Sequence, residues 1–263
     1  MKISEICTVL DRLYLFGAQE EYDNSGPQIL FEDETAGNIL IALDIDAAVL
    51  EEAVVKKCNL VITHHPLIFN PLKSINYSDK HGRLIAELVL NKISVISVHT
   101  CLDRKYPLFL GELLGFRNQT VFEPEISSDA RGYGSIGYLS GKTVFSEFLK
   151  HMKTRLNSDY ILYSGDESRL INKAVIINGS GSSFLKKSAD LNADLLITAD
   201  MKFHNAKEAE LYGICLADIG HYDSEKMFKK IIKNDLHEHT KLDDCSIILS
   251  DEEKNPIKVY LEM

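Results

Sequence analysis

Apolar segments with strand-like composition alternate with helical patterns along most of this chain, and this alternation constrains the fold more than any other feature. "NILIALDI" and "NLVIT" have the composition of buried strands, and "DAAVLEEAVVKK" between them has helical spacing with Asp46 as its predicted N-cap. A helix over about 80–92 and the strand "ISVISV" repeat this order. Alternating strands and helices favour an α/β fold with largely parallel sheets that are covered on both faces.

A polar, turn-forming segment, "EPEISSDARG", interrupts the alternation, which resumes with "ADLLITAD" and "GICLADIGH". We therefore predict a first α/β lobe over residues 1–124 and a middle segment over 125–194 that forms most of a second lobe. Residues 195–263 are predicted to be a C-terminal α/β segment that completes the functional site. Ser4 is predicted to be the N-cap of the first helix, which would begin immediately after it.

Composition limits the environment and the partners of the protein. Of the 263 residues, 45% are hydrophobic, which is enough to form one large core or two modest ones. A net charge of -10 argues against nucleic acid and anionic membranes as partners. Five scattered cysteines without a CxxC pair indicate reduced thiols. No leader pattern or apolar run of about 20 residues is present, so we predict a soluble, cytoplasmic protein.

Polar residues follow the predicted strands in a repeated pattern. "CNLVITHH" and "ADLLITAD" share a polar residue, Leu, an apolar residue, Ile and Thr before two polar residues. Each leads through a helix to another strand that ends in a histidine, in "SVISVHTCLD" and "ICLADIGHYDSE". Ligands of open α/β sheets bind beyond the carboxyl ends of the strands. These polar endings are therefore the predicted functional positions.

His64 and His65 form the first candidate pair. Adjacent residues of a strand point to opposite faces, so both imidazoles can reach one metal cluster only where the strand has ended and the chain turns. Pro66 favours such a turn. The alternative is one histidine hydrogen-bonded in the core and the other in solvent.

The other two strand ends supply His99 with Asp103 and His221 with Glu225. Alternatives exist for each: Asp103 can cap the following helix, His99 can be a packing residue, and Glu225 can be an ordinary helix-terminal carboxylate. His221 and Glu225 are four residues apart, which lets both side chains converge at the start of a helix. Cys101 lies between His99 and Asp103 and is predicted to point into the core, with a thiolate ligand at the metal site as the alternative.

Taken together, the strand ends offer more ligands than one tetrahedral zinc ion needs. Two divalent ions, bridged by Glu225 and a water, fit this set of nitrogen and oxygen donors. Such a mixed shell suits Zn, Mn, Fe or Co better than Ca or Mg. The predicted ligands are His64, His65, Asp103, His221 and Glu225.

The same residues carry a family resemblance. "DNSGPQ", "ALDID", "ITHHPLIF", "HTCLD", "INGSGSS", "ITADMKFHNA" and "DIGHYDSE" occur in this order. The chain thereby resembles the Nif-three-like family, also known as GTP cyclohydrolase 1 type 2 homologues. The resemblance implies the same five metal ligands, two facing α/β lobes with the metal site at the strand carboxyl ends in the cleft, and a ring-like homo-hexamer. The chain departs from the common family pattern at Ser25, Cys101 and Ala199.

Several other motifs have alternative interpretations. The loop 179–183 in "NGSGSSFLKK" can hold a phosphate on its backbone N–H groups, or it can be a tight strand-to-helix turn. Asp44 and Asp46 in "ALDIDAAV" have the Asp-x-Asp spacing of haloacid dehalogenase-type phosphatases, although a helix cap explains Asp46. His204 is a candidate proton donor or partner of a metal ligand, and the resemblance favours a site role for it. "HEHT" is typical of a solvated surface.

Two classes of function are consistent with these motifs. In the first, the protein is a metal-dependent hydrolase in which two ions lower the pKa of a bridging water and His99 or His204 moves the proton. The resemblance implies ring-opening hydrolysis of GTP or a similar nucleotide, and phosphoester hydrolysis fits the same centre. In the second, the protein is a non-catalytic metal-binding scaffold that recruits another macromolecule.

Overall fold

The computed structural model describes residues 1–126, 128–242 and 245–260, which form alternating strands and helices. The strands are β1 (Gly26–Ile29), β2 (Asn38–Ala42), β3 (Cys58–Thr63), β4 (Ser94–Ser97), β5 (Arg117–Glu125), β6 (Ser128–Val144), β7 (Leu162–Ser164), β8 (Leu170–Ser180), β9 (Leu195–Ala199), β10 (Cys215–Asp218) and β11 (Ile247–Leu249). The helices are α1 (Ile3–Tyr14), α2 (Ala47–Val55), α3 (Lys80–Leu90), α4 (Thr100–Lys105), α5 (Phe109–Leu114), α6 (Phe145–Leu156), α7 (Leu185–Asp190), α8 (Phe203–Tyr212), α9 (His221–Glu225) and α10 (Phe228–His239). Among the described residues, no helix combines the length and the apolar character needed to cross a bilayer.

The chain divides into two compact units, and each contains one sheet. The first unit consists of residues 1–102 and 227–254, and the second consists of residues 103–226 and the segment that begins at Asn255. The chain therefore passes between the units three times: within α4, between α9 and α10, and after Lys254.

The sheet of the first unit has the strand order β1-β4-β3-β2-β11. Strand β1 pairs antiparallel with β4, and the other pairings are parallel. The three central strands are buried along almost their whole length, which explains why their sequences are continuous apolar runs. Because β2, β3 and β4 are parallel, the polar residues that follow them emerge at the same edge of this sheet.

The sheet of the second unit has the order β5-β6-β8-β9-β10-β7. Strands β8, β9 and β10 are parallel, whereas β5, β6 and β7 join by antiparallel pairings. Ile176 and Ile197 belong to one apolar cluster, and the adjacent Val175 and Leu196 belong to another, so both faces of the sheet are covered. The fold is thus mixed α/β with two sheets, and the second sheet is less parallel than the sequence predicts.

Two local predictions are wrong. The "EPEISSDARG" segment is not a unit boundary, because it joins β5 and β6, which form a long antiparallel pair. Gly132 permits a close approach in this pair, since a Cβ there would lie 2.1 Å from the carbonyl oxygen of Glu123. The first helix begins at Ile3, so Ser4 lies inside it, and Glu5 accepts a hydrogen bond from the backbone N–H of Lys2 at 2.7 Å.

Candidate metal centre

In the first unit, His64 and His65 lie immediately beyond the last residue of β3, where the chain turns. Thr63 fixes this turn because its hydroxyl donates to the carbonyl oxygen of His65 at 2.7 Å. The two imidazole centroids are 5.0 Å apart. Both rings are therefore on the same side of the chain, as the strand-end argument requires, and they do not diverge as they would inside a strand.

His99, which follows β4, completes a cluster of three imidazoles. Its ring centroid is 5.2 Å from that of His64 and 5.4 Å from that of His65. One nitrogen from each ring lies within 4.8 Å of the other two. Phe228 of α10 packs against His64 with a centroid distance of 4.6 Å, which gives the cluster an apolar wall. The arrangement concentrates three imidazole nitrogens in one place.

Each of the three rings uses Nδ1 to contact an oxygen atom of the first unit. Nδ1 of His64 donates to the carbonyl oxygen of Val98 at 2.9 Å, because a carbonyl can only accept. Nδ1 of His65 lies 3.0 Å from Oδ1 of Asp44, and Nδ1 of His99 lies 2.8 Å from Oδ1 of Asp23. A proton held at Nδ1 leaves the lone pair on Nε2, which is the atom that a metal ion binds.

Asp23 holds the His99 turn with both carboxylate oxygens. Its side chain is fully buried, and Oδ2 accepts from the backbone N–H of Thr100 at 3.1 Å and from the Ser25 hydroxyl at 2.9 Å. Burial opposes ionisation, but the hydrogen bonds and charge from His99 and Thr100 outweigh it, so the pKa of Asp23 lies well below its usual range. Asp23 is therefore a fixed negative charge that orients His99.

The rest of the "DNSGPQ" segment holds the loop that follows His65. The Asn24 amide donates to the carbonyl oxygen of Ile68 at 2.6 Å, and Gln28 Oε1 accepts from the backbone N–H of Ile68 at 3.1 Å. The Ser25 hydroxyl accepts from the backbone N–H of His99 at 3.0 Å. One short segment thus fixes two of the three histidine-bearing turns.

In the second unit, His221 and Glu225 lie at the two ends of the short helix α9. Nε2 of His221 is 3.2 Å from Oε2 of Glu225, and Nδ1 of His221 is 2.7 Å from Oδ2 of Asp200. Burial of the ring disfavours its charge, but hydrogen bonds and charge from Glu225 and Asp200 outweigh this effect and raise the pKa of His221 to about 9. The pair that shares this proton also offers a nitrogen and an oxygen to a divalent cation.

The segment after the apolar part of β8 contacts both predicted carboxylate ligands. The amide of Asn178 donates to Oδ1 of Asp103 at 2.8 Å, and both side chains are almost fully buried. At the next residue, Gly179, a Cβ would lie 2.6 Å from Oε1 of Glu225. Asp103 and Glu225 therefore pack against two consecutive residues of one strand. The "INGSGSS" motif therefore packs closely against these two carboxylates.

The remaining candidates differ in their placement. His204 lies in the exposed first turn of α8, with its ring edge-on to Phe203 at 5.4 Å, and its catalytic role stays a prediction. Cys101 is fully buried, as the sequence predicts. Asp46 caps α2 through a bond from the backbone N–H of Val49 at 2.9 Å.

Sequence reasoning did not assign the carboxylates and amide that support the histidines and acids. Asp200 directly follows β9, and Asp44 lies two residues beyond β2, so the strand-end rule could have identified them as partners of the histidines. Asn178 and Gly179 gave no such signal, because a glycine-rich turn is compatible with many roles. The assignment of five residues as metal ligands remains the prediction made from the sequence.

Comparison with known proteins places the chain in a family. The sequence profile described as Duf34/NIF3 (NGG1p interacting factor 3) matches residues 1–256, so the chain belongs to this family. A Clostridium perfringens protein named GTP cyclohydrolase 1 type 2 homolog is 31% identical over 98% of this chain and 99% of its own length. A Helicobacter pylori protein named GTP cyclohydrolase 1 type 2 is 31% identical over 98% of both chains. The crystal structure of a Bacillus cereus protein related to NIF3 has the same fold, with a TM-score of 0.88, 20% identity and 99% coverage of both chains.

Proposed function

We propose that this protein binds two divalent metal ions through His64, His65, Asp103, His221 and Glu225 and hydrolyses a nucleotide-like substrate. The similarity to relatives named GTP cyclohydrolase 1 type 2 and its homolog supports the substrate class. A non-catalytic metal-binding scaffold and a phosphoesterase are the alternatives that the experiments below distinguish.

The observation that carries this proposal is the cluster of His64, His65 and His99. Three imidazoles with nitrogens within 4.8 Å of one another place several nitrogen donors where a single ion could contact them. Oxygen contacts at all three Nδ1 atoms favour the tautomer that metal ligation needs. Neutral imidazoles suit Zn, Mn, Fe or Co.

The carboxylates of the second unit supply the hard, anionic part of the ligand set. Glu225 is buried beside His221, and Asp103 is buried beside Asn178. Burying a carboxylate is costly unless a cation or several hydrogen bonds compensate for the lost hydration. A divalent cation would provide that compensation, which makes the donor set chemically suitable for one.

The residues of this chain that would handle protons are His99 and Asp23. A bound divalent ion supplies Lewis acidity toward water and substrate oxygens. His99 can accept a proton at Nε2 because Asp23 holds the proton on Nδ1 and stabilises the resulting imidazolium, as in other histidine–aspartate pairs. His204 is the alternative proton donor proposed from the sequence.

Assembly and location complete the proposal. We propose a ring-shaped homo-hexamer in the cytoplasm, in line with the family resemblance and the scattered cysteines. Light scattering coupled to size exclusion measures the mass directly: six copies of the 29.6 kDa chain are expected, and a monomer would contradict this part of the proposal.

The test combines metal analysis with a substrate panel. Purified protein is expected to contain or take up close to two equivalents of Zn, Mn, Fe or Co, and Glu225→Gln should lower that content. Glu210→Gln, an exposed carboxylate that pairs with Lys207, is the matched control and should bind metal normally.

GTP, GMP and p-nitrophenyl phosphate are then assayed with each metal. Purine absorbance is followed for GTP and GMP, and phosphate release is measured for all three. Loss of purine absorbance supports ring opening, whereas phosphate release alone supports the phosphoesterase. Metal binding without turnover of any substrate favours the scaffold. Activity that survives complete metal removal contradicts the proposed mechanism.

A further inference from the structure

The second unit contains a cavity next to Asp200, and His221 is the one proposed metal ligand among its lining residues. Its volume is about 500 Å³, within the range of about 300–1,000 Å³ typical of small-molecule sites. It is lined by Tyr160, Leu162, Asp200, His221 and the segment 257–260, among others. It lies beyond the carboxyl ends of β9 and β10, the usual ligand position in sheets with parallel strands.

Asp200 and Asp218 make one side of this cavity acidic. Both oxygens of the buried Asp218 accept backbone hydrogen bonds, from Gly220 at 2.9 Å and from Met201 at 2.8 Å, so this residue shapes the two turns. Asp200 uses Oδ2 for His221, but its side chain is 44% exposed and remains accessible to a ligand. Asp200 is therefore the carboxylate that the cavity presents.

Another part of the lining is apolar and incompletely covered. Leu162 at the start of β7 is 50% exposed, and Ile257 and Val259 in the C-terminal segment are 53% and 42% exposed. Apolar side chains that line a concave surface gain stability when a ligand removes them from water. A ligand that covers this side needs an apolar body.

The charges around the cavity indicate the polar group of that ligand. Burial, together with the negative charges of Asp218, Asp223 and Asp200, raises the pKa of Tyr160, so its phenol stays protonated and neutral. Lys258 also lines the cavity, with an exposed side chain. Because two carboxylates, Asp200 and Asp218, and one lysine line the cavity, the lining favours a cation that carries N–H donors over an anion.

We propose that this cavity binds a small organic cation and that binding of this cation weakens the metal affinity of His221. The N–H donors of the cation contact Asp200. Its apolar body packs against Leu162, Ile257 and Val259. The first part concerns the cavity alone, and the second part rests on the proposed function. An N–H donor that competes for Asp200 would reduce the hold of this carboxylate on Nδ1 of His221. The imidazole would then be a poorer metal ligand at Nε2.

Benzamidine is a suitable probe because it combines a planar cation with an apolar ring. Neutral benzamide and anionic benzoate have nearly the same shape and serve as controls for charge. Ligand-detected NMR and calorimetric titration of the metal-free, full-length protein should show benzamidine binding roughly tenfold or more tightly than benzamide, with no binding of benzoate. Equal binding of all three probes would overturn the proposal.

Two variants test the location. Asp200→Asn removes the charge, and Val259→Arg places a cation and extra bulk at the apolar side, so each should weaken benzamidine binding roughly tenfold or more. Asp190→Asn alters an exposed carboxylate that pairs with Lys186 and should leave benzamidine binding unchanged. Benzamidine affinity unaffected by both cavity variants would contradict the assigned site.

The coupling to the metal site is measured separately. Saturating benzamidine should weaken Mn²⁺ or Zn²⁺ binding about fivefold or more in the wild type, and metal should weaken benzamidine binding by the same factor. Unchanged or tighter metal binding would overturn the second part. If benzamidine binds through Asp200 but the protein takes up no metal, the proposed function fails while the cavity site stands.

Discussion

Gly179 packs directly against the carboxylate of Glu225: a Cβ at this position would lie 2.6 Å from Oε1 and 3.6 Å from Nε2 of His221. The glycine has a φ of +60°, a conformation that residues with a side chain rarely adopt. Its backbone N–H also donates to the Ser224 hydroxyl at 3.0 Å. A residue with no side chain is therefore required beside the two proposed ligands of α9.

Gly179→Ala is predicted to impair metal binding and stability together. The methyl group must displace Glu225, which should weaken metal binding by roughly 10–100-fold. The left-handed backbone should cost a further 1–2 kcal/mol or so of unfolding free energy. Calorimetric metal titration and denaturant unfolding measure the two effects. Gly141→Ala is the control, because a Cβ there has nothing within 4 Å, and equal effects at both glycines would contradict the argument.

Asp44→Asn is predicted to lower metal affinity without unfolding the protein. Asp44 is 3.0 Å from Nδ1 of His65, and its charge favours the ring form that binds metal through Nε2. We expect affinity to fall by roughly 10–100-fold, with a small change in stability because the Asp44 side chain is largely exposed. Asp33→Asn, at an exposed carboxylate that pairs with Lys2, is the matched control. Metal affinity equal in both variants would show that Asp44 does not orient His65.

Asn178→Asp is predicted to make the metal-free protein lose more stability than the wild type as pH rises from 5 to 7. The substitution places a second buried carboxylate where an amide now donates to Asp103. Repulsion raises the pKa of one carboxyl in the folded state, so the folded state binds a proton more tightly than the unfolded state. Stability is then retained at low pH and lost as pH rises through the raised pKa.

Chemical denaturation at pH 5 and pH 7 should therefore show that the stability difference between Asn178→Asp and the wild type grows from pH 5 to pH 7. Asn192→Asp, in an exposed turn, should show no such change. An equal difference from the wild type at both pH values would indicate that the two side chains are not in contact.

Glu52 provides a pH effect that is independent of the metal site. It is buried in the first unit, where it accepts bonds from Lys56 at 2.6 Å and from the backbone N–H of Asp251 at 3.0 Å. Burial raises its pKa, but these bonds and others outweigh that effect and lower it from 4.5 to about 2. This depressed pKa contributes stability above pH 4.5 that is lost as pH falls toward 2.

We expect Glu52→Gln to cost roughly 1–3 kcal/mol at pH 7, with the difference from wild type shrinking between pH 4.5 and pH 2. Urea unfolding as a function of pH measures this difference. Glu51→Gln, at the adjacent exposed position, should cost little at any pH. If the difference in unfolding free energy between Glu52→Gln and the wild type stayed constant across this pH range, the lowered pKa of Glu52 would be excluded as its cause.

The sequence was sufficient to predict the histidine cluster, because a buried strand and the polar residues at its carboxyl end can be recognised from a short stretch of sequence. Val61 and Ile62 are apolar at consecutive positions, as expected for a strand buried on both faces, and His64 and His65 follow where Pro66 turns the chain. The convergence of these rings with His99 follows from the parallel pairing of β3 with β4. Local pattern and sheet topology together were sufficient here.

Other features depend on distant pairings that no local pattern specifies. The bond between Asn178 and Asp103 joins residues 75 positions apart, and the antiparallel additions to the second sheet contain glycine and proline that read as turn formers. The chain also crosses between units within α4, at residues 102 and 103, where helical sequence is uninterrupted. Boundary prediction relies on composition changes, and none occurs there.

The most direct test of the central claim is an anomalous difference map from a crystal of the protein loaded with Mn²⁺ or Zn²⁺. The account predicts peaks about 2.0–2.2 Å from Nε2 of His64, His65 and His221 and from the carboxylates of Asp103 and Glu225, with two ions about 3.5–4 Å apart. Loaded crystals without a peak at these residues, or with peaks only elsewhere, would contradict it.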